Sequence, residues 1–572
     1  MAKQDRARAF YDNSALIRRL NHRYPRAFRA VWELYLKALQ FRYGDSLPPL
    51  HPTTPLLQAR RWKIPQYQTS GNDTGPRILF FSFTGWSKNI VQDALLGQAL
   101  AMRGAQVAYF TCGGSFPLCY IHNASSNVPP MPCGRCRAYA DSGLGAFGFT
   151  PQMMNDVISA SEQKDLKAQI DSISDTLLTS YEMDGIRLGY YASVSARWFL
   201  LTNKVDDSAE MMERLRGFIY LGALAYTAIQ RLIQQFKPDK IVMFNGLHAP
   251  ERMVQEAAVR HGIPYVCTER GYMVNTLYAT HNMPCAGYPL DGLWSMFKDT
   301  PLSEGQNAVL DEYLHARRYG GKLMDNLWEG VRADETTLRS EVGLIPGRRT
   351  VAAFTNVQGD TAVIDKDLAY PDLRDWIDGL IACFRQRPEV DLVFRIHPAE
   401  TRMKRYTPRT GFGQYIAERH PDLPSHIKVI PSASTLSSYT LAGLSDLVMV
   451  YTSTVGLETT LMGKHSAVSG MVHYREKGFT LDIRTPDDME MWVRRWQAGE
   501  LPPVDLELAR RYAYMFFYRA MIPLDDIIEE TSFGQMRLKL GGIDDLRPGQ
   551  SKALDSICDS ILSGAQFVNP TL

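Results

Sequence analysis

The chain contains no run of about 18 uninterrupted apolar residues, so no stretch of it reads as a transmembrane helix. Its start, Met1-Ala2-Lys3-Gln4-Asp5-Arg6, lacks the apolar core of a secretory signal, and a cytoplasmic location is the resulting expectation. Cysteine is sparse: eight in 572 residues is too few for a disulfide scaffold. Charge of one sign is also missing. With 63 Lys and Arg against 61 Asp and Glu, the chain as a whole is no polyanion binder, and nucleic acid is not expected as a partner. No His/Asp grouping, and no prominent Asp-x-Asp clamp, points to a catalytic metal.

What is present is ordinary globular composition, 45% hydrophobic and 22% charged. At about 100–200 residues per domain, two or three domains are expected. Residues 1–45 have mixed helical periodicity and carry ten Lys/Arg against four Asp/Glu. They read as a helical arm packed on the body, or as a basic amphipathic helix in peripheral contact with a membrane at its inner face. Residues 46–75 are rich in Pro, Gly, Thr and Ser and read as a connector.

Two series of strands and helices follow. In the first, buried-strand runs at 77–83, 105–111, 240–246 and 263–271 alternate with helical patterns, and 151–235 form a helical insertion. In the second, strands are expected at 350–356, 391–398, 427–430, 445–453 and 465–470. This rhythm implies parallel sheets. The expected fold is α/β: two Rossmann-like domains facing a cleft, with an N-terminal helical arm and helical insertions. The boundaries are 1–75 for arm and linker, 76–340 for the acceptor-side domain, 341–500 for the donor-side domain and 501–572 for a helical C-terminal segment.

Open α/β sheets bind ligands at the carboxyl ends of their strands, so the polar residues there are the candidates. Arg395-Ile396-His397-Pro398 ends one strand, with Glu400 close behind. Arg and His are natural partners of phosphate oxygens, and Pro398 stops the ladder. An ion pair of Arg395 with Glu400 is the plainer alternative. Ser453-Thr454-Val455-Gly456-Leu457-Glu458 ends another strand and opens a helix. The Ser453 and Thr454 hydroxyls with free N–H groups would cradle an anion, and Glu458 would hold a ribose or sugar hydroxyl. Plain N-capping is the alternative. The stretch 470–480 brings His473, Tyr474, Arg475 and Lys477, with Tyr474 and Lys477 expected at the donor.

On the first sheet, Gly85-Trp86-Ser87 and Asn245-Gly246, with Arg252, are expected to line the acceptor side. Glu269 is the best-placed carboxylate there, as base or nucleophile; pairing with Arg252 or Arg270 is the alternative. His397 is the second catalytic candidate, and Asp360 a weaker carboxylate. Cys112, Cys119, Cys133 and Cys136 form a cluster whose final pair resembles a zinc clasp, so a structural zinc is expected there, with free thiols as the alternative. No cofactor is expected for catalysis.

Five stretches in order resemble bacterial capsule-polysaccharide biosynthesis glycosyltransferases, which share features with the Kdo transferases of capsule assembly. They are 354–360, Trp376, 394–400, 450–458 and 470–480. Phe244-Asn245-Gly246 with Arg252, and Cys267-Thr268-Glu269-Arg270-Gly271, carry the likeness into the first series. The resemblance implies a fold of the GT-B type and transfer from a nucleotide-sugar donor to a glycan or lipid-linked acceptor of a surface polysaccharide. A His-Pro motif followed by a Ser/Thr motif also resembles bacterial sialyltransferases and teichoic-acid glycerophosphotransferases, in which the two motifs hold the phosphate and cytidine of the donor. That implies a cytidine-activated donor, with His397 and Pro398 as one half and Ser453 and Thr454 as the other. The common pattern carries a Trp beside the Asp, where this chain has Gln358-Gly359. A sugar-nucleotide 2-epimerase, a CDP-glycerol-type phosphotransferase and a non-catalytic assembly protein remain alternatives.

Overall fold

A computed structural model describes residues 25–43, 53–67, 74–83, 87–120, 133–319, 330–403, 406–532 and 535–570. They fall into two compact units: Met1–Ala196, Asp207–Cys285 and Met521–Leu572 make the first, and Arg197–Asp206 with Ala286–Ala520 the second.

The first unit is built on a seven-stranded sheet in the order β13-β6-β5-β4-β1-β2-β3. Its strands are β1 (Arg77–Phe81), β2 (Gln106–Thr111), β3 (Gln152–Met153), β4 (Lys240–Phe244), β5 (Tyr265–Arg270), β6 (Thr276–His281) and β13 (Ile522–Pro523). Strands β1 to β5 pair in parallel. Ile78, Leu79, Phe80 and Phe81 of β1 are all buried, as a parallel strand covered on both faces requires. The chain enters mid-sheet at β1, runs outward through β2 and β3, then restarts on the other side at β4. The order therefore switches direction between β1 and β4, which is where such sheets bind ligands. Phe80, Tyr109, Val242 and Val266 belong to one core, against which helix Ser87–Ala101 packs Val91, Ala94 and Leu95.

The C-terminal segment departs from the expected run of helices. It includes β13, which pairs antiparallel with β6, and the hairpin of β14 (Ile528–Ser532) and β15 (Gln535–Leu538) before helix Lys552–Ser563. Ile522, Ile528, Met536, Leu538, Ile557 and Ile561 all join the first unit's core. Strands this short carry too few alternating residues to stand out in sequence. Strand β6, antiparallel to β5, was likewise not anticipated.

The second unit has a six-stranded sheet, β12-β11-β10-β7-β8-β9, parallel throughout. Its strands are β7 (Arg349–Phe354), β8 (Val390–Arg395), β9 (Ile427–Ile430), β10 (Leu447–Val450), β11 (His465–Val468) and β12 (Leu481–Asp482). The same reversal recurs, here between β7 and β10. Trp376, Leu380 and Phe384 of helix Leu373–Arg385 sit in its core with Phe394 and Met449.

The unit border falls after Cys285 rather than near residue 340. Leu310 and Tyr313 of helix Glu304–Tyr319 are buried, and Tyr313 bonds to Glu458 of the second unit. The N-terminal helix Pro25–Tyr43 belongs to the first unit: Trp32 donates to Ser142 Oγ at 3.2 Å, and Leu36 and Leu39 cluster with Leu57. Among the described residues no helix is long and apolar enough to cross a membrane.

Candidate functional site

In the second unit, three of the motif-bearing strand ends are neighbours, because β7 lies between β8 and β10. The Thr452 N–H donates to Asn356 Oδ1 at 3.3 Å and ties the ends of β10 and β7 together across the reversal point.

His397 sits just beyond β8, half-buried. Its N–H donates to Thr355 Oγ1 at 3.0 Å, and its Nδ1 accepts the Ala399 N–H at 3.1 Å. An accepting Nδ1 leaves the proton on Nε2. Burial, with the nearby Arg395 charge second, pushes the imidazole down to about 4. His397 is therefore neutral near pH 7 and offers one Nε2–H dipole.

Arg395 serves a different end. Its guanidinium donates to the carbonyls of Pro431 (2.7 Å), Ser434 (3.1 Å) and Ile396 (3.2 Å) and to Ser438 Oγ (3.3 Å). It props the loop after β9 and is spent on protein oxygens, so neither the ion pair with Glu400 nor a free phosphate fork is formed. Burial first, then Arg402, lowers it to about 10. Pro398, past the end of β8, caps the turn Ala399–Arg402. Glu400 is buried, burial lifts its carboxyl to about 7, and its Oε1 has no hydrogen-bond partner.

The second motif is tied together by Tyr474. This ring is fully buried, and its hydroxyl donates to the Ser453 carbonyl at 2.5 Å. A Cβ on Gly456 would lie 2.3 Å from that hydroxyl, so the position requires glycine. Tyr474 is thus a strut for the turn rather than a ligand of the donor. Ser453 Oγ accepts the Val455 N–H at 3.3 Å, whereas Thr454, at the N-cap of helix Val455–Leu461, makes no side-chain cap bond.

Glu458 is 1% exposed. Arg317 lies 3.0 Å from it, Tyr439 donates to it at 2.5 Å, and Tyr313 donates to its other oxygen. Both oxygens are thereby engaged inside the unit, and holding a sugar hydroxyl is not what they do here. Removing it strands a buried guanidinium. Glu458→Ala should cost about 3–5 kcal/mol, read as a lower midpoint in denaturant; an unchanged midpoint would refute the structural role. Lys477 is likewise engaged, paired with Asp291 at 2.5 Å. His473 is half-buried, and desolvation pushes it down to about 3.

Asp360 caps its own turn, with Oδ1 accepting the Ala362 N–H at 2.8 Å. Gly359 has φ +66°, and a Cβ there would lie 2.6 Å from Leu201 Cα. That close approach explains why no large side chain stands beside Asp360.

One cation escaped the sequence reading. The ammonium of Lys366 has neither a hydrogen bond nor an ion pair among the described residues, and burial lowers it. The Lys366 carbonyl accepts the Met471 N–H at 2.8 Å, which places the residue against the loop after β11. Only a Lys in an irregular loop marks it in sequence. Its neighbours form an Asp-x-Asp, Asp365-Lys366-Asp367, but Asp365 pairs with Arg197 at 2.9 Å and Asp367 accepts from the Tyr451 hydroxyl.

In the first unit the β1–β4 reversal gathers a second polar group. Glu269 is the last residue but one of β5; burial lifts it to about 7 against a hydrogen bond from Asn245, the Arg270 N–H and the charges of Lys88 and Arg270. Asn245 Oδ1 accepts the Leu247 N–H at 3.1 Å, which turns its amide donor toward Glu269. Lys88 is buried and paired at 2.6 Å with Glu530 of the C-terminal hairpin. Gly246 has φ +78°, and a Cβ there would meet Cys267 Sγ at 2.7 Å. Arg252 does not pair with Glu269: it donates to Gln255 Oε1 (2.8 Å) and the Tyr191 hydroxyl (3.3 Å). Gly85, Trp86 and the Ser87 side chain lie outside the described residues.

Among the described residues no disulfide forms. Cys112 lies close enough to Cys133 to affect it, and burial with that neighbour pushes the Cys133 thiol up to about 12. Among the described residues no three His, Cys, Asp or Glu side chains gather as a metal site needs. The expected zinc clasp is not assembled in this arrangement.

Residues 307–501 match the family model described as capsule polysaccharide biosynthesis protein. The stretch takes in β7 to β12 and every donor-side motif, so the likeness drawn from the motifs is borne out there. That capsule-synthesis signature covers this stretch and not the rest of the chain. No curated protein matches it in sequence. Among solved structures, KpsC of Thermosulfurimonas dismutans, a beta Kdo 2,4 transferase, is 16% identical over 49% of this chain and 79% of its own, with a TM-score of 0.31. UDP-GlcNAc 2-epimerase of Neisseria meningitidis is 11% identical over 77% of this chain and 98% of its own, with a TM-score of 0.23. Likeness this low carries no inference about substrate.

Proposed function

We propose that this chain, whose residues 307–501 carry the capsule-polysaccharide signature, moves a sugar from a cytidine-activated donor to a glycan or lipid-linked acceptor. The observation that carries the reading is His397, fixed as an Nε2–H donor just beyond β8, beside the reversal point of the second sheet. A neutral donor there suits a phosphate oxygen, because it stabilises charge without the cost of burying a cation. Lys366 supplies the positive charge that Arg395, spent on carbonyls, does not. Ser453 and Thr454 follow β10, on the other side of β7 from His397.

In this proposal Glu269 takes the proton of the acceptor hydroxyl. A carboxyl near 7 suits a general base, because it is both substantially ionised and basic enough at working pH. Its partners keep the carboxylate oriented: Asn245 donates to it, and Lys88 is held in turn by Glu530.

A thermal-shift series with CMP, CDP, UDP and GDP tests the donor assignment. Ligand that binds the folded state raises apparent stability by about 2.7 kcal/mol at a hundred times its Kd. CMP should give the largest rise. A larger rise with UDP would overturn the cytidine assignment, and interconversion of a sugar nucleotide without acceptor would instead mark an epimerase.

A further inference from the structure

We infer that the outer face of helix Pro25–Tyr43 is a docking surface for an anionic lipid bilayer. The helix is apolar on two faces. One face, with Trp32, Leu36 and Leu39, is packed inward. On the other, Val31, Leu34 and Phe41 are 61%, 66% and 93% exposed, and Tyr35 is 37% exposed. Positions 31, 34, 38 and 41 recur at helical spacing, so Val31, Leu34, Ala38 and Phe41 form one continuous stripe. A side chain as large as Phe41 left almost wholly in water is costly, and a row of them calls for an occupant.

Charge decides which occupant. Residues 1–45 hold ten Lys/Arg and four Asp/Glu, an excess of six, whereas the whole chain has an excess of only two. The rest of the chain is therefore net acidic, and the positive charge is concentrated in the arm that carries the stripe. Lys37 is exposed on the helix itself. Apolar side chains flanked by Lys and Arg suit the boundary between headgroups and acyl chains, where anionic lipid attracts the cations while the apolar stripe enters the bilayer. A second copy of the chain fits worse. It would bring two basic arms together, and a stripe of four side chains falls well short of the roughly 800 Å² per partner of a stable interface.

The test is co-sedimentation of the full chain with vesicles. One set is phosphatidylcholine alone, and the other has phosphatidylglycerol as about a third of the lipid. The full chain should sediment with the anionic vesicles only, and less as salt is raised. The triple variant V31S/L34S/F41S should lower the bound fraction about tenfold or more. These side chains are exposed, so its melting temperature should match the parent; should it melt lower, K37E, which leaves the packed face untouched, must weaken binding in its place. Undiminished binding by the variant, or equal binding to neutral vesicles without salt dependence, overturns the proposal. So does a dimer in solution that the triple variant abolishes, which assigns the face to a second copy.

Discussion

His397→Ala should lower transfer by about 10²–10³-fold, the usual cost of removing one preorganised donor from developing or phosphate charge. The fold should survive. The side chain is half-buried, and the hydrogen bond it gives up, from the Ala399 N–H to Nδ1, is worth about 1 kcal/mol. His397→Asn refines the result, since its amide oxygen can still accept from Ala399 while nothing replaces the Nε2–H. If the loss is due to the donor, Asn should be nearly as poor as Ala. The pH profile gives a further check. An imidazole pushed down to about 4 stays neutral as pH falls through 6.5, so no limb near 6.5 should belong to His397. Full activity in both variants would remove His397 from the site.

Glu269→Gln should slow transfer to acceptor by about 10²–10⁴-fold, the range for losing a general base. Wild-type activity should fall as pH drops through about 7, because the raised carboxyl then takes up its proton and ceases to be a base. The Gln variant should lack that limb. The substitution is nearly isosteric and keeps an acceptor for the Arg270 N–H, and an unchanged melting temperature of the variant should show that a stability effect does not mimic the kinetic one. A variant that retains both the rate and the limb would place the base elsewhere.

The two α/β series were legible because buried parallel strands are continuous apolar runs; β1, β4, β8 and β10 announce themselves in that way. The position of the motifs at strand ends was legible for the same reason. What was not legible is direction. Arg395, Glu458, Tyr474 and Lys477 lie in or beside the expected motifs, yet each faces protein: carbonyls, Arg317, the Ser453 carbonyl and Asp291 respectively. Spacing places a side chain at an edge but does not say which distant residue will reach it, as Arg317 reaches Glu458. Lys366 was missed for the converse reason, since an irregular loop has no period to reveal it. The C-terminal hairpin was hidden by its short strands, and with it the Lys88–Glu530 pair.

The central claim is that the donor is held at the β7–β10 reversal point and that Glu269 acts on the acceptor. Calorimetric titration of CMP into wild type, His397→Ala and Glu269→Gln separates the two halves most directly. The account predicts that His397→Ala weakens CMP binding by about tenfold or more, the 1.4 kcal/mol scale of one lost charge-assisted hydrogen bond, while Glu269→Gln leaves it unchanged. Unaltered binding in His397→Ala, or loss of binding in Glu269→Gln alone, would contradict it.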